Sequence, residues 1–270
     1  MKLVIEDLSF SYGSMRVLNR ISMREAGPGK ITAAIGPNAA GKTTLFRCIA
    51  GLLKSEGRIL LDGKELKHIK KEDITKHVSY LPQESPVNAV LTVFEAILLA
   101  RQHTASWRVA DEDLAIVSQV LEDLEIEDLA LRYLNELSGG QKQMVSIAQS
   151  LVREPKVLLM DEPTSSLDLQ HQLEVLDLIR YVTVERGITT LIALHDLNLA
   201  ARYADQFLVL DNGAIYAKGN AVSVLTPETL RDVYGVDATV YLDGDGIPQV
   251  TPTRSVRSGR KPTLAISGPT

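Results

Sequence analysis

Hydrophobic positions along the chain follow two spacings, and the order in which these occur predicts an α/β fold. Residues 4–12, 30–35, 58–61 and 78–81 have the short apolar runs that are typical of β-strands. Between the second and third of these runs, residues 42–53 place apolar side chains at helical spacing. The first part of the chain is therefore predicted to be mostly β-structure with one helix after the second strand.

The middle of the chain has a different pattern. From about residue 90 to residue 151 the strand pattern disappears, and apolar side chains recur at helical spacing. After it, residues 156–160 and 188–194 are apolar runs with the pattern of strands buried on both faces, and residues 169–186 between them predict a helix. This order indicates a parallel sheet with an inserted helical subdomain at about 90–151.

Composition narrows the class of protein. The 270 residues are 45% hydrophobic and 23% charged, which is typical of a soluble globular domain. The net charge of −5 gives no bulk electrostatic argument for nucleic acid, and one cysteine excludes an internal disulfide. The longest apolar run, residues 89–100, is interrupted by Thr92 and Glu95 and is shorter than the about 20 residues that a membrane span needs. We therefore expect a cytosolic chain, unless a partner holds it at a membrane.

The last twenty residues, 251–270, differ from the rest. They contain four basic side chains and no acidic one, and they are rich in Pro, Gly, Ser and Thr. Such a composition predicts a basic and flexible C-terminal tail.

A phosphate-binding loop is predicted between the second strand and the first helix. Its residues are Gly36, Pro37, Asn38, Ala39, Ala40, Gly41, Lys42 and Thr43. They match the pattern G-x-x-x-x-G-K-[ST], in the strand–loop–helix context that this motif requires. Backbone N–H groups at the helix start would contact phosphate oxygens, Lys42 would add a cation, and the Thr43 hydroxyl would bind Mg²⁺.

Two acidic residues end the apolar run 156–160. A buried parallel strand would deliver Asp161 and Glu162 at its C-terminal end, where open α/β sheets bind ligands. We expect Asp161 to hold Mg²⁺ through water, and Glu162 to orient and deprotonate an attacking water molecule.

The pentapeptide Leu137-Ser138-Gly139-Gly140-Gln141 resembles the signature of the ATP-binding-cassette (ABC) ATPases. Other elements of that family stand in the same order along this chain. They are Tyr12, the phosphate loop, Gln83, the strand end at Asp161 and Glu162, the segment Ser166-Leu167-Asp168, and His195. The resemblance covers about residues 1–250.

The resemblance implies a P-loop NTPase core with an antiparallel β subdomain and an inserted helical subdomain, acting on ATP with Mg²⁺. It implies that Tyr12 stacks on adenine, and that loop residues 36–43 and Thr44 hold the phosphates. Thr43, Gln83 and Asp161 would serve the metal, and Lys42, Gln83, Glu162 and His195 would serve catalysis. Two copies would close head to tail, so that Ser138, Gly139, Gly140, Gln141 and Asp168 complete the partner's nucleotide site.

Two positions depart from the family pattern. Ala39 stands where the family usually has Gly, and at a positive φ an alanine would cost about 1–2 kcal/mol. The signature is followed by Lys142-Gln143-Met144, where Arg-Gln-Arg is usual.

The stretches that start at Asp168, His195 and Val224 resemble the importer branch for iron–siderophore, haem or vitamin B12. This branch implies a second copy of the chain, two separate transmembrane permease subunits and, indirectly, a substrate-binding protein, at the cytoplasmic face of the membrane. No nucleic acid is expected. Two alternatives stay open, namely a soluble ABC protein that acts as a scaffold in iron–sulfur cluster assembly, and an importer motor for metal cations.

Overall fold

The computed structural model describes residues 1–83, 90–102 and 109–256. The strands of this described part are β1 (Leu3–Tyr12), β2 (Met15–Ala26), β3 (Lys30–Ile35), β4 (Glu56–Leu61), β5 (Lys64–Glu65), β6 (Val78–Leu81), β7 (Val157–Asp161), β8 (Thr189–Ala193), β9 (Gln206–Asp211), β10 (Ala214–Gly219), β11 (Val236–Leu242) and β12 (Pro248–Ser255). The helices are α1 (Lys42–Ile49), α2 (Lys71–His77), α3 (Val93–Arg101), α4 (Asp111–Asp123), α5 (Gly139–Leu151), α6 (Leu169–Glu185), α7 (Leu197–Tyr203), α8 (Ala221–Val224) and α9 (Pro227–Tyr234).

Within the described residues, these strands form three sheets. An antiparallel sheet has the order β2-β1-β4-β5, and a larger sheet has the order β10-β9-β3-β8-β7-β6. In the larger sheet β9, β3, β8, β7 and β6 run parallel, and only β10 pairs antiparallel to its neighbour. Strands β11 and β12 form a separate hairpin. The predicted α/β architecture, with an antiparallel sheet beside the parallel one, is confirmed.

The parallel strands divide the hydrophobic core into two layers. Every residue of β7 and β8 is buried, and alternate side chains face opposite sides of the sheet. Leu158 and Met160 join the core formed with α3 to α7, whereas Val157 and Leu159 join the core shared with α1 and the antiparallel sheet. This double burial explains why these two strands are recognisable as continuous apolar runs.

The larger sheet brings four chain-distant segments to one edge. The neighbours β3, β8, β7 and β6 are parallel, so their C-terminal ends lie side by side. The phosphate loop follows the end of β3, and His195 follows β8. Glu162 follows the end of β7, and Gln83 follows β6. The topology alone therefore places the predicted catalytic residues next to one another.

The segment between β6 and β7 contains α3, α4 and α5, with 3₁₀ turns and one isolated bridge, Thr92 to Tyr133, in its described part. Helix α3 begins at a capping box, in which the Thr92 hydroxyl accepts from the Glu95 N–H and the Glu95 carboxylate accepts from the Thr92 N–H. No described helix combines the length and the apolar character that crossing a membrane would take.

The predicted boundary of the C-terminal tail is wrong. Strand β12 continues past residue 251 to Ser255, because it pairs along its length with β11, from Val236–Ser255 to Leu242–Pro248. Asp237 fixes this end of the hairpin by accepting from Arg231 and Arg254. The remainder of the predicted tail, residues 257–270, lies outside the described residues.

Candidate active site

The phosphate loop follows β3 with an unusual backbone. Gly36 has φ 145°, and a Cβ at this position would lie 2.1 Å from the Leu210 carbonyl oxygen, so only glycine fits. Ala39 has φ 64°, which is the left-handed conformation that makes the alanine a strained residue here. Ala39, which stands where the family usually has Gly, therefore does have the positive φ at which an alanine is strained.

Lys42 and the two threonines after it begin helix α1. Lys42 is 6% exposed, and its ammonium group donates to the carbonyl oxygens of Gly36 at 2.7 Å and Pro37 at 3.1 Å. A lysine ammonium has three N–H donors, so one remains for a ligand oxygen. Burial lowers the pKa of Lys42, and the charges of Glu162 and Asp161 oppose this shift. Thr44 is buried, and Thr43 lines the cavity described below.

Glu162 is held at both carboxylate oxygens. The Gln83 side-chain N–H donates to Glu162 Oε2 at 2.7 Å, and His195 Nε2 pairs with Glu162 Oε1. The Glu162 side chain is 9% exposed, whereas that of His195 is 48% exposed. Glu162 also has φ 56°, a conformation that is strained for a residue with a Cβ and that occurs at functional sites. Three residues that the sequence predicts for the site are thus brought into direct contact.

Asp161 is a buried carboxylate without a hydrogen-bond partner in the described part of the chain. Its residue is 1% exposed, and both Oδ1 and Oδ2 lack a partner. Burial raises the pKa of Asp161, while the nearby Thr43 hydroxyl and the Lys42 ammonium act in the opposite direction. A buried, unpaired carboxylate is unfavourable unless a cation compensates it, and oxygen ligands are those that Mg²⁺ prefers. Asp161 and Thr43 therefore fit the magnesium site that the sequence predicts.

Lys42, Thr43, Gln83, Glu162 and His195 border one cavity of about 630 Å³. Its lining runs from Tyr12 through Asn38 to Thr44 and on to Gln83, Glu162 and His195. Tyr12 is 42% exposed at the cavity and packs edge-on against Phe10, with ring centroids 4.8 Å apart. Its exposed aromatic face is suitable for stacking on a planar base.

The cavity also has a wall that the sequence reasoning missed. This wall consists of Met15, Arg16, Val17, Asn212 and Gly213. The Gly213 carbonyl accepts from the Asn19 N–H at 2.7 Å, which holds the β9–β10 turn against β2. Asp211-Asn212-Gly213 is a sequence typical of a hairpin turn, but nothing in it indicates that the turn would lie at the cavity.

The signature residues lie apart from this cavity. Ser138 caps α5, because its hydroxyl accepts from the Gln141 N–H at 3.3 Å and the Gln141 Oε1 accepts from the Ser138 N–H at 3.0 Å. Ser138, Gly140, Gln141 and Asp168 line a second cavity of about 620 Å³. Gly139 is an exposed residue of the same helix start. This separation is expected if the signature completes the site of another copy.

Asp168, Gln143 and Met144, which follow the signature in the chain, have clear structural roles. Asp168 caps α6 by accepting from the His171 N–H at 3.0 Å, and it also pairs with His171 Nδ1 at 2.7 Å. Hydrogen bonding to Asp168 raises the pKa of His171. Gln143 donates to the Pro163 carbonyl at 2.8 Å and links α5 to the Glu162 loop, whereas Met144 is buried in the core.

The fold and the site define an ATP-binding cassette, and comparison with known proteins agrees. Residues 18–165 match the family model described as ABC transporter. An uncharacterised ABC transporter ATP-binding protein of Methanocaldococcus jannaschii is 44% identical over 254 residues, which cover 93% of this chain and 98% of that protein. This chain belongs to the ABC transporter family.

Further comparisons indicate a branch of the family. An iron(3+)-hydroxamate import ATP-binding protein of Bacillus subtilis is 37% identical over 241 residues, covering 88% of this chain and 89% of that protein. Among solved structures, a chain of a metal-chelate type ABC transporter in an inward-facing conformation superposes with a TM-score of 0.79 at 25% identity. That match covers 93% of this chain and 97% of the other.

Proposed function

We propose that this chain is the ATP-hydrolysing subunit of an importer for an iron chelate or a related metal chelate, driving translocation through separate membrane subunits. The observation that carries the proposal is the arrangement at Glu162. Its buried carboxylate is held by Gln83 and His195 in the same cavity as the phosphate loop, and the unpaired carboxylate of Asp161 lies beside it.

ATP is the substrate that this cavity fits best. Tyr12 would stack on the adenine ring, and the loop from Gly36 to Thr44 would hold the phosphates through its N–H groups and the Lys42 ammonium. Asp161, Thr43 and Gln83 would hold Mg²⁺, with Asp161 acting through water. When bound, Mg²⁺ would supply positive charge to the β- and γ-phosphate oxygens.

Glu162 would act as the general base. A water oxygen attacks the γ-phosphorus, the bond from that phosphorus to the bridging oxygen of ADP breaks, and the Glu162 carboxylate takes the proton of the water. Because Gln83 and His195 each hold one carboxylate oxygen, the base has a fixed orientation. His195, which is half exposed, would also contact the γ-phosphate.

A second copy would supply the rest of the site. The N–H groups at the start of α5, around Ser138, Gly139 and Gly140, are not used by the chain's own phosphate loop cavity. A helix N-terminus favours an anion, so this helix start would contact the γ-phosphate held by Lys42 of the second copy. Gln141 and Asp168 would border the same interface.

The membrane partners would be two permease subunits, with a substrate-binding protein acting through them, at the cytoplasmic face of the membrane. Three large apolar side chains support a docking surface on the helical subdomain, since Val90, Leu131 and Tyr133 are 81%, 84% and 46% exposed. The Thr92–Tyr133 bridge holds their segments together. The metal-chelate and iron(3+)-hydroxamate descriptions of the similar proteins support the substrate class.

The catalytic part is tested with Glu162→Gln, which keeps the side-chain size and removes the base. We expect ATP turnover to fall by about 10²- to 10⁴-fold, while the variant still binds ATP and accumulates as a closed dimer in gel filtration. Glu185→Gln, at an exposed end of α6, is the matched control and should hydrolyse ATP normally. Normal hydrolysis by Glu162→Gln would show that the assigned base is wrong.

The transport part has a separate test. The tagged chain is purified from native membranes, and copurifying proteins are identified by mass spectrometry. We expect a multi-span membrane protein in stoichiometric amount, and its genomic neighbours should include a substrate-binding protein. Recovery of the chain with soluble assembly factors alone would contradict the importer proposal.

A further inference from the structure

At Val250, the outer edge of strand β12 is hydrogen-bonded to the side chain of Asn198 in helix α7. The Val250 N–H donates to Asn198 Oδ1 at 2.7 Å, and Asn198 Nδ2 donates to the Val250 carbonyl at 3.3 Å. Val250 is 7% exposed, so these two backbone groups have little access to water. The Asn198 amide therefore serves Val250 as a neighbouring strand would, by satisfying both of its outward-facing groups.

The same helix starts directly after the histidine that holds Glu162. The Asp196 carboxylate caps α7 by accepting from the N–H groups of Asn198 at 2.8 Å and Leu199 at 3.0 Å. His195 precedes this cap and pairs with Glu162 Oε1. A displacement of the first turn of α7 would therefore move His195 relative to the Glu162 carboxylate.

The hairpin that Asn198 grips is itself fixed to the body of the protein. At its base, Asp237 accepts from Arg231 of α9 and Arg254 of β12. Tyr234, the last residue of α9, packs against the main core. Burial raises the pKa of Tyr234. The hairpin thus connects α9, which packs on the main core, to the first turn of α7.

We propose that Asn198 is a positioning residue for ATP hydrolysis, which clamps the first turn of α7 to Val250 and so fixes His195 against Glu162. This inference rests on the proposed function, because it requires that Glu162 and His195 act in hydrolysis. Asn198 is not among the residues that line the cavity, and its side-chain hydrogen bonds go to Val250, so we assign its effect to His195 and not to direct contact with the nucleotide.

The test is Asn198→Asp, which keeps the shape and the acceptor for the Val250 N–H but places a carboxylate oxygen against the Val250 carbonyl. We expect kcat for ATP to fall about tenfold, because misplacement of a catalytic group by a fraction of an ångström has effects of this order. The KM for ATP should stay within about twofold, since the phosphate loop and Tyr12 are untouched.

The matched control is Arg101→Gln, which removes the ion pairs from Arg101 to Asp113 and Glu154 in the helical subdomain and leaves the hairpin and α7 untouched. It should lower thermal stability at least as much as Asn198→Asp does, and it should leave kcat unchanged. An equal loss of kcat in both variants would show that general stability, and not positioning, is responsible. If Asn198→Asp does not fold, Asn198→Ser replaces it, because serine keeps a polar group that is too short to reach Val250.

A double-mutant cycle distinguishes a failure of the Asn198 positioning role from a failure of the proposed ATPase function. In a His195→Ala background, Asn198→Asp should cause no further loss of kcat, because its route to Glu162 is already removed. Additive losses would overturn the positioning role. If Glu162→Gln and His195→Ala themselves hydrolyse ATP normally, the proposed function fails. If both lose most of their measurable kcat and Asn198→Asp is fully active, only this inference fails.

Discussion

Ala39→Gly should stabilise the protein, although glycine in place of alanine usually has the opposite effect. Ala39 is exposed and has φ 64°, where a residue with a Cβ is strained by about 1–2 kcal/mol. Glycine removes this strain but makes the unfolded chain more flexible, which costs about 0.5–1 kcal/mol. The difference is a net gain of about 0–1.5 kcal/mol in the free energy of unfolding, with a central value of about 0.75 kcal/mol.

The neighbouring alanine provides a control with the same chemical change. Ala40 is 3% exposed, belongs to the core, and is not among the residues with positive φ. Ala40→Gly loses a buried methyl group and gains the same flexibility, so it should destabilise the protein by about 1–2 kcal/mol. The two substitutions, one residue apart, should therefore change stability in opposite directions.

The assay is urea unfolding of the nucleotide-free protein, with thermal melting as a second probe. For a chain of this size we expect Ala39→Gly to raise the melting temperature by about 1–4 °C. The affinity for ATP should change by less than about threefold, because strain that is present with and without nucleotide cancels from the binding free energy. A loss of stability in Ala39→Gly that matches that of Ala40→Gly would refute the assignment of strain to this position.

Two further substitutions test other parts of the structure. Asp205 accepts from Arg180 at 2.5 Å, from Lys30 at 3.1 Å and from the Ile31 N–H at 2.9 Å, so Asp205→Asn should lower the free energy of unfolding by about 2 kcal/mol at pH 7. Burial acts to raise the pKa of Asp205, but these hydrogen bonds outweigh it and hold the pKa below its ordinary value. The contribution is therefore complete above the ordinary pKa and lost as pH falls through the lowered one, so urea titrations should show the gap between variant and wild type closing in acid; a constant gap would contradict this. Gly213→Ala would place a Cβ 2.2 Å from the Val17 carbonyl oxygen at φ 75°, which should cost about 2–4 kcal/mol and weaken ATP binding measured by calorimetry. Gly244→Ala, with no atom near its Cβ position, should change neither quantity, and equal effects of the two would argue against the β9–β10 turn as a wall of the cavity.

Strong periodicity made much of the fold predictable, and its absence explains what was missed. Strand β2 was not predicted, because irregularities in its pairing with β1 interrupt the alternation of buried and exposed residues. Helix α2 was not predicted for another reason. Ile74 is its only buried residue, so the helix has no repeating apolar face. The helix predicted to end at residue 53 ends at Ile49, where the chain turns towards Gly51 with φ 71°.

The candidate site was predictable as a set of residues but not as a set of contacts. Lys42 and Glu162 stand in short sequence motifs, the phosphate loop and the acidic end of a buried strand. Phosphate binding and catalysis require these residue types at these spacings, so both residues can be identified from the sequence. The bonds from Gln83 and His195 to the two oxygens of Glu162 depend on the strand order, which no local pattern encodes. The same applies to Asn198 and Val250, which are brought together only by the packing of the hairpin.

The order of the strands has a consequence for how this protein is made. The antiparallel sheet draws all its strands from the first 65 residues and has its partners as soon as they leave the ribosome. Within the described part of the chain, strand β3, which precedes the phosphate loop, pairs with β8 and β9, so it gains these sheet neighbours only after residue 189 is synthesised. Such distant pairing is slow and leaves apolar edges unprotected meanwhile. We therefore expect a nascent chain that depends on chaperones for most of its synthesis and acquires its nucleotide site only near the end.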